Sequence, residues 1–169
     1  MARSRAVVVV ILAAVLVGSS AVGRWLGEQR RAADALNSAI VVEVVDGDTV
    51  TVRSADGATD TVRLLGVDTP ETHHPERGVE CFGPEASAYT RERLEGEWVE
   101  LEDDVEGRDR YGRRLAYVSV GGRRFNDELL RRGYARLLVI APNREHARAL
   151  LRAELDAKSA QRGLWGACE

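Results

Sequence analysis

A chain of 169 residues has room for one domain with its own core and an appendage, and not for several domains. With 44% hydrophobic and 30% charged residues it is neither a disordered nor a low-complexity polymer. The formal charge of −3 hides an asymmetry: residues 1–38 hold five arginines and two acids, which leaves −6 on the remainder. So acidic a remainder repels polyanions, and could hold nucleic acid only through a local cation cluster, a metal, or both.

Arg3 and Arg5 precede an apolar run over 6–17, and the small residues Gly18, Ser19, Ser20 and Ala21 follow. Positive start, apolar middle and small-residue cleavage site are the order of a secretory signal. Read through to Val22, the run is close to the lower limit of about 17 residues for a bilayer span. An uncleaved membrane anchor is therefore the alternative, and a buried core helix a third. Residues 1–22 are assigned as signal peptide or membrane anchor, 23–38 as linker and 39–169 as the folded domain. In either case the domain is exported, whether released or tethered with its folded part outside.

The β-branched run over 40–45 and the alternation of Val50 and Val52 predict two strands, with Asp46-Gly47-Asp48-Thr49 as a turn or bulge between them. Asp56-Gly57 is a hairpin signal, and 59–67 reads as a third strand in which Arg63, Leu65 and Val67 share a face. Residues 68–83 break the pattern with Pro70, Pro75, Gly78 and the adjacent His73 and His74, read as solvated loop residues. Pro84 suits a first helical turn, and the helix runs over 85–94. A strand over 98–102, a charged loop over 103–112 and a strand over 115–120 follow. Asn126 is placed to cap a short helix to Arg132 that Gly133 stops, and 144–159 carries apolar residues at helical spacing. The expected class is α+β, mainly β. It would be a five-stranded OB-type Greek-key barrel with three helices, preceded by the N-terminal apolar helix.

Cys81 and Cys168 are the two cysteines, without partners at metal-binding spacing. In an oxidising compartment a disulfide tying the C-terminus to a mid-chain loop is the natural reading; two unrelated free thiols are the alternative.

Three segments carry chemistry: Asp46-Gly47-Asp48-Thr49, the run from Arg63 to Thr72, and Asp109-Arg110-Tyr111-Gly112-Arg113. Asp68, Thr69 and Glu71 leave the third strand where a barrel mouth would lie, and Asp48 starts the neighbouring strand. Paired carboxylates repel unless a cation lies between them, and all-oxygen donors favour Ca²⁺ or Mg²⁺ over zinc. A third carboxylate and two arginines would complete a site for phosphoryl transfer, in which positive groups neutralise the charge added by attacking water. Each segment alone also has a structural reading, as a turn, a helix cap or a surface ion pair.

In order and spacing, these segments, together with 78–88 and Gly163-Leu164-Trp165, resemble the staphylococcal nuclease (thermonuclease) family. The likeness runs from about Val42 to Trp165. It implies an OB-type barrel with three helices and Ca²⁺-dependent hydrolysis of DNA and RNA, with the 5′-oxygen leaving and 3′-phosphate products. By position, Asp48 and Asp68 would bind calcium through carboxylates and Thr69 through its main-chain carbonyl. Glu71 would be the general base. Arg63 and Arg113 would hold the reacting phosphate, and Tyr111 and Arg110 would bind the substrate. The protein would act as a monomer. The segment 137–141 departs from the family in lacking its tyrosines, which weakens base stacking. The competing expectation is a catalytically weak OB-fold module for nucleic-acid binding or scaffolding.

Overall fold

The computed structural model describes residues 37–72 and 78–168. The expected signal or anchor segment, the connector as far as residue 36, and His73 and His74 lie outside the described residues. Among the described residues no helix is long and apolar enough to cross a membrane.

Strands β1 (Ser38–Asp46), β2 (Thr49–Ser54) and β3 (Thr59–Leu64) form an antiparallel meander. β4 (Gly66–Asp68) leaves the barrel, and helix α1 (Gly83–Leu94) follows. β5 (Trp98–Arg108) pairs antiparallel with β1 and with β6 (Arg114–Val120). A parallel pairing of β3 with β6 closes the five strands into a barrel, which leaves no open edge between them. A two-residue strand β7 (Arg123–Arg124) extends β6 and leads into α2 (Phe125–Arg132). Last come β8 (Arg136–Leu138), paired with β4, then α3 (Ala147–Ser159) and the single turn α4 (Leu164–Ala167). This is an OB-fold barrel with three helices and a terminal turn.

Alternation builds the core. Val50, Val52, Val62, Leu64, Ala116 and Val118 point inward from β2, β3 and β6 and are essentially inaccessible. At about 25 cal/mol per Å², such side chains each contribute roughly 1.5–3 kcal/mol on burial. The helices close the barrel from outside through Leu94, Leu129, Leu130 and Leu150. Tyr89 stacks on Tyr134 at 4.3 Å between ring centroids and on Phe125 at 6.1 Å, which joins α1 to α2. Cys81 and Cys168 are bonded, fixing the segment before α1 to the end of α4.

Four details differ from the sequence-based expectation. The third strand is broken: Leu65 interrupts it and Gly66 takes φ 74°, so Arg63 and Val67 belong to different strands. The stretch 103–112 is mostly strand, because β5 continues to Arg108 with exposed residues that show no apolar alternation. Asp56-Gly57 forms part of a longer turn, with Ser54 donating to the Ala58 carbonyl and Gly57 to that of Ser54. Asn126 does not cap α2. Buried inside its first turn, it accepts from the Val118 amide (2.9 Å) and donates to the Leu65 carbonyl (2.8 Å). One side chain thus holds α2 to β6 and to the break between β3 and β4.

Candidate active site

The turn between β1 and β2 is drawn in by irregular pairing near the end of β1, between Val41 and Glu43 and again between Val44 and Asp46. Gly47 is needed there: a Cβ would lie 2.7 Å from Thr69 Oγ1. The hydroxyl of buried Thr90, on α1, donates to the Gly47 carbonyl at 2.6 Å and fixes the turn from behind. Asp48 is thereby buried at the barrel mouth, where Oδ2 accepts from the Thr69 amide (2.9 Å) and Oδ1 from the Thr49 hydroxyl (3.1 Å).

Arg63 emerges from the end of β3 beside it. Its Nη2 lies 3.1 Å from Asp48 Oδ2 and 3.1 Å from Asp68 Oδ1. Its Nη1 donates to the carbonyls of Leu64 (2.9 Å) and Val67 (2.8 Å), so the break in the strand is itself held by the guanidinium. Five planar donors make arginine suited to bridging carboxylates and carbonyls at once.

Glu71 follows one turn of chain later. Its amide donates to Glu80, its carbonyl accepts from the Glu80 amide at 2.9 Å, and a Cβ at Gly83 would lie 2.7 Å from that carbonyl. The start of α1 therefore packs directly under Glu71. Glu71 itself is exposed, yet its carboxyl is held above the usual range. Partial desolvation comes first among the causes, then the hydrogen bond and charge of Asp46, then the charges of Asp48 and Asp68. Solvent reaches Glu71, which discounts the desolvation, and a cation on Asp48 and Asp68 would offset their charges, so Asp46 is the more durable cause. Asp48 is also raised, by burial first and by Asp68, against the opposing pull of Arg63 and the Thr69 amide.

The other arginine sits across the mouth on the tight turn after β5. Asp109 Oδ2 accepts from Arg113 Nε at 2.8 Å, while Oδ1 accepts from the amides of Tyr111 (2.9 Å) and Arg113 (3.0 Å). Burial opposes ionisation of Asp109, but these bonds hold its carboxyl below the usual range. Among the described residues the Nη atoms of Arg113 have no ion-pair or hydrogen-bond partner. Tyr111 is 68% exposed, with the guanidinium carbons of Arg110 and Arg113 at 4.7 Å and 5.5 Å from its ring centre.

A cavity of about 510 Å³ brings Arg63, Arg110, Tyr111 and Arg113 together. Its apolar wall includes Leu138 and Ile140. Asp48, Asp68, Thr69 and Glu71 do not line it; Arg63 connects the two groups, touching both aspartates on one side and the cavity on the other.

Sequence reasoning left out three contributors. Asp46 stands close enough to Glu71 to raise its carboxyl, and accepts from Thr72 (3.3 Å). It was visible only as the first letter of its turn. Asp109 orients Arg113. Asn143 is buried and pairs with both the amide (2.8 Å) and the carbonyl (3.0 Å) of Glu106, which anchors the end of β5 beneath the cavity. Nothing in the local sequence distinguished Asn143 beyond its following Pro142.

A hard divalent cation suits the donors present, which are all oxygens. Among the described residues Thr69 Oγ1 is buried at the same edge without a hydrogen-bond partner, and burial holds the Asp48 carboxyl above its usual range even with Arg63 beside it. Among the described residues no three acidic, histidine or cysteine side chains gather tightly enough to hold an ion alone. Main-chain carbonyls and water would complete the shell, as calcium tolerates.

Residues 61–167 match the family model described as "Staphylococcal nuclease homologue". The chain is 40% identical over 125 residues to "Thermonuclease" of Staphylococcus hyicus, covering 74% of this chain and 73% of that protein. It is 41% identical over 128 residues to "Thermonuclease" of Staphylococcus intermedius, covering 76% of each. Over 123 residues it is 41% identical to "Endonuclease YncB" of Bacillus subtilis (strain 168), covering 72% of this chain and 58% of that one.

Proposed function

Since the chain belongs to the family of staphylococcal nuclease homologues and is a nuclease, we propose that it is an exported, Ca²⁺-dependent phosphodiesterase acting on DNA and RNA. The observation that carries this reading is the position of Arg63. Its guanidinium joins the Asp48–Asp68 pair to the cavity that holds Arg113 and Tyr111.

Asp48 and Asp68 would hold the cation through their carboxylates, and Thr69 through its main-chain carbonyl. Bound calcium supplies positive charge next to the phosphoryl oxygens. Arg63 and Arg113 bind the same phosphate from two sides and stabilise the charge that grows on it as water attacks. Arg63 is pinned by two aspartates and two carbonyls and Arg113 by Asp109, so both are held in place before the substrate arrives. Glu71 takes the proton of the attacking water. A raised affinity for that proton makes its carboxylate a stronger base than an ordinary glutamate. As the new P–O bond forms, the bond from phosphorus to the 5′-oxygen breaks, its electron pair leaves on that oxygen, which takes a proton from solvent to become a hydroxyl, and the product keeps a 3′-phosphate. Tyr111 and Arg110 form one wall for the nucleotide, and aliphatic Leu138 and Ile140 another.

The domain acts as a monomer, delivered through the segment 1–22 and either released or left tethered. End-group analysis of digested oligonucleotides tests the chemistry. Wild type should leave 3′-phosphates and 5′-hydroxyls, and Glu71→Gln should fold normally with kcat lower by about 10²–10⁴. Products with 5′-phosphates, or a Glu71→Gln enzyme of full activity, would remove the proposed mechanism.

A further inference from the structure

A second cationic site lies outside the cavity just described and shares no residue with it. Arg93 at the end of α1, Arg123 and Arg124 in β7, and Arg131 and Arg132 at the end of α2 surround a recess of about 640 Å³. Asp127 and Glu128 are the acids in its wall. Five arginines against two acids leave this surface at +3, on a domain whose sequence from residue 39 onward carries −6.

Each acid is engaged through one oxygen, while among the described residues Asp127 Oδ1 is buried without a hydrogen-bond partner. Glu128 Oε1 accepts from the Tyr89 hydroxyl and lies 3.3 Å from Arg93 Nε and 3.4 Å from Arg132 Nε. Asp127 Oδ2 is 3.3 Å from Arg124 Nη1. Exposed Arg123 and Arg131 have no side-chain partner among the described residues. Helix electrostatics account for Arg131 and Arg132, which sit at the negative end of α2. They do not account for Arg123, which lies ahead of the positive end, where a cation is unfavourable, and which unlike Arg124 has no acid beside it among the described residues. An anion in the recess removes that conflict.

From these placements we propose that the recess is a second phosphate-binding site that takes backbone phosphates of the nucleic-acid strand away from the bond being cut. This rests on the nuclease reading. It explains how an acidic domain retains a polyanion when Arg63 is committed to carboxylates and Arg113 shares its charge with Asp109. Arginine forks fit phosphate oxygens in pairs, and each neutralised phosphate releases counterions. Binding at this site is therefore sequence-independent and strongly salt-dependent.

The test compares the full-length protein with Arg123→Ala/Arg131→Ala and with Arg123→Lys/Arg131→Lys. Binding of a labelled single-stranded oligonucleotide is followed by anisotropy in excess chelator, so that nothing is cut. Two lost phosphate contacts should make the slope of log K against log salt shallower by about 1.4. Wild-type affinity should then fall about sevenfold more than that of the alanine variant between about 50 and about 200 mM salt. The lysine variant should keep most of the slope. With Ca²⁺, the alanine variant should show a raised KM on long strands and unchanged turnover of a dinucleotide.

Equal slopes and affinities for wild type and the alanine variant would overturn the proposal. So would unchanged oligonucleotide binding accompanied by lost binding to phosphatidylglycerol vesicles, which would make the recess a membrane contact. If wild type fails to cut DNA with Ca²⁺ while the slopes still differ, the nuclease reading falls and the phosphate site stands.

Discussion

Arg63 shows how much one side chain can carry. It ion-pairs with two aspartates, accounts for the hydrogen bonding of two carbonyls at a strand break, and presents its remaining surface to the cavity. Lysine, a point charge without a planar fork, cannot do all of these. Arg63→Lys should therefore lower kcat/KM on the order of a hundredfold, with far-UV circular dichroism unchanged. Glu71 makes a second expectation at this scale. As the proposed base it must be ionised, so activity should fail as pH drops through its raised value. The acid limb of kcat/KM should lie above the ordinary 4.5. Asp46→Asn removes a charge that raises Glu71 and puts an amide donor within reach of its carboxylate, and should move that limb to lower pH. A limb that stays put would show that Asp46 does not tune the base.

At the scale of elements, the site depends on a strand that stops early. β3 ends at Leu64, β4 sets out in another direction to pair with β8, and the interruption releases Asp68 and Glu71 toward the barrel mouth. Asn126 holds that interruption from the core side. Asn126→Leu would leave the buried Val118 amide and Leu65 carbonyl without their partner, at a cost of roughly 2–5 kcal/mol for the two groups. Urea titration should show the loss, and activity should fall with it if the break is what places Arg63. β8 is held in turn by buried Glu154, whose Oε1 accepts from the Leu137 amide at 2.9 Å while Lys158 pairs with Oε2 at 3.0 Å.

Much of this was legible in sequence, for identifiable reasons. Period-two alternation marked β2, Gly133 marked the end of α2, and ordered motifs picked out Asp48, Arg63, Asp68, Glu71 and Arg113 as candidates. The break at Leu65 was not legible, because apolar residues run through it without interruption and one of the bonds that hold it comes from distant Asn126. The second half of β5 was hidden by its exposure: a strand with no buried face has no alternation to read. Asn126 itself misled, since Ser, Thr, Asn and Asp near a helix start are usually caps, and here tertiary partners won.

For the whole molecule, closure of the barrel and one covalent link set the stability. The Cys81–Cys168 bond spans 87 residues and by loop entropy contributes about 4.6 kcal/mol. Cys81→Ser/Cys168→Ser should melt well below wild type, as should the reduced protein; equal melting temperatures would remove the link from the account of stability. Titration adds limits at both ends of the pH range. Tyr89 and Tyr117 are pushed up to about 12, by burial first and then by Glu128 and Asp104. A raised value favours the protonated phenol in the folded state. Their contribution is complete below the ordinary 10.0 and is lost as pH rises through about 12. Asp104, Asp109 and Glu128 are lowered, so their contribution is present above their ordinary values and disappears on acidification below them.

Digestion of plasmid DNA by the purified full-length protein, in Ca²⁺ and then in excess chelator, bears most directly on the Asp48–Asp68 site. Cleavage is expected in Ca²⁺, should stop on chelation, and should return when Ca²⁺ is restored. Cleavage that ignores the chelator, or no cleavage under either condition, would contradict a calcium-dependent nuclease built on those aspartates.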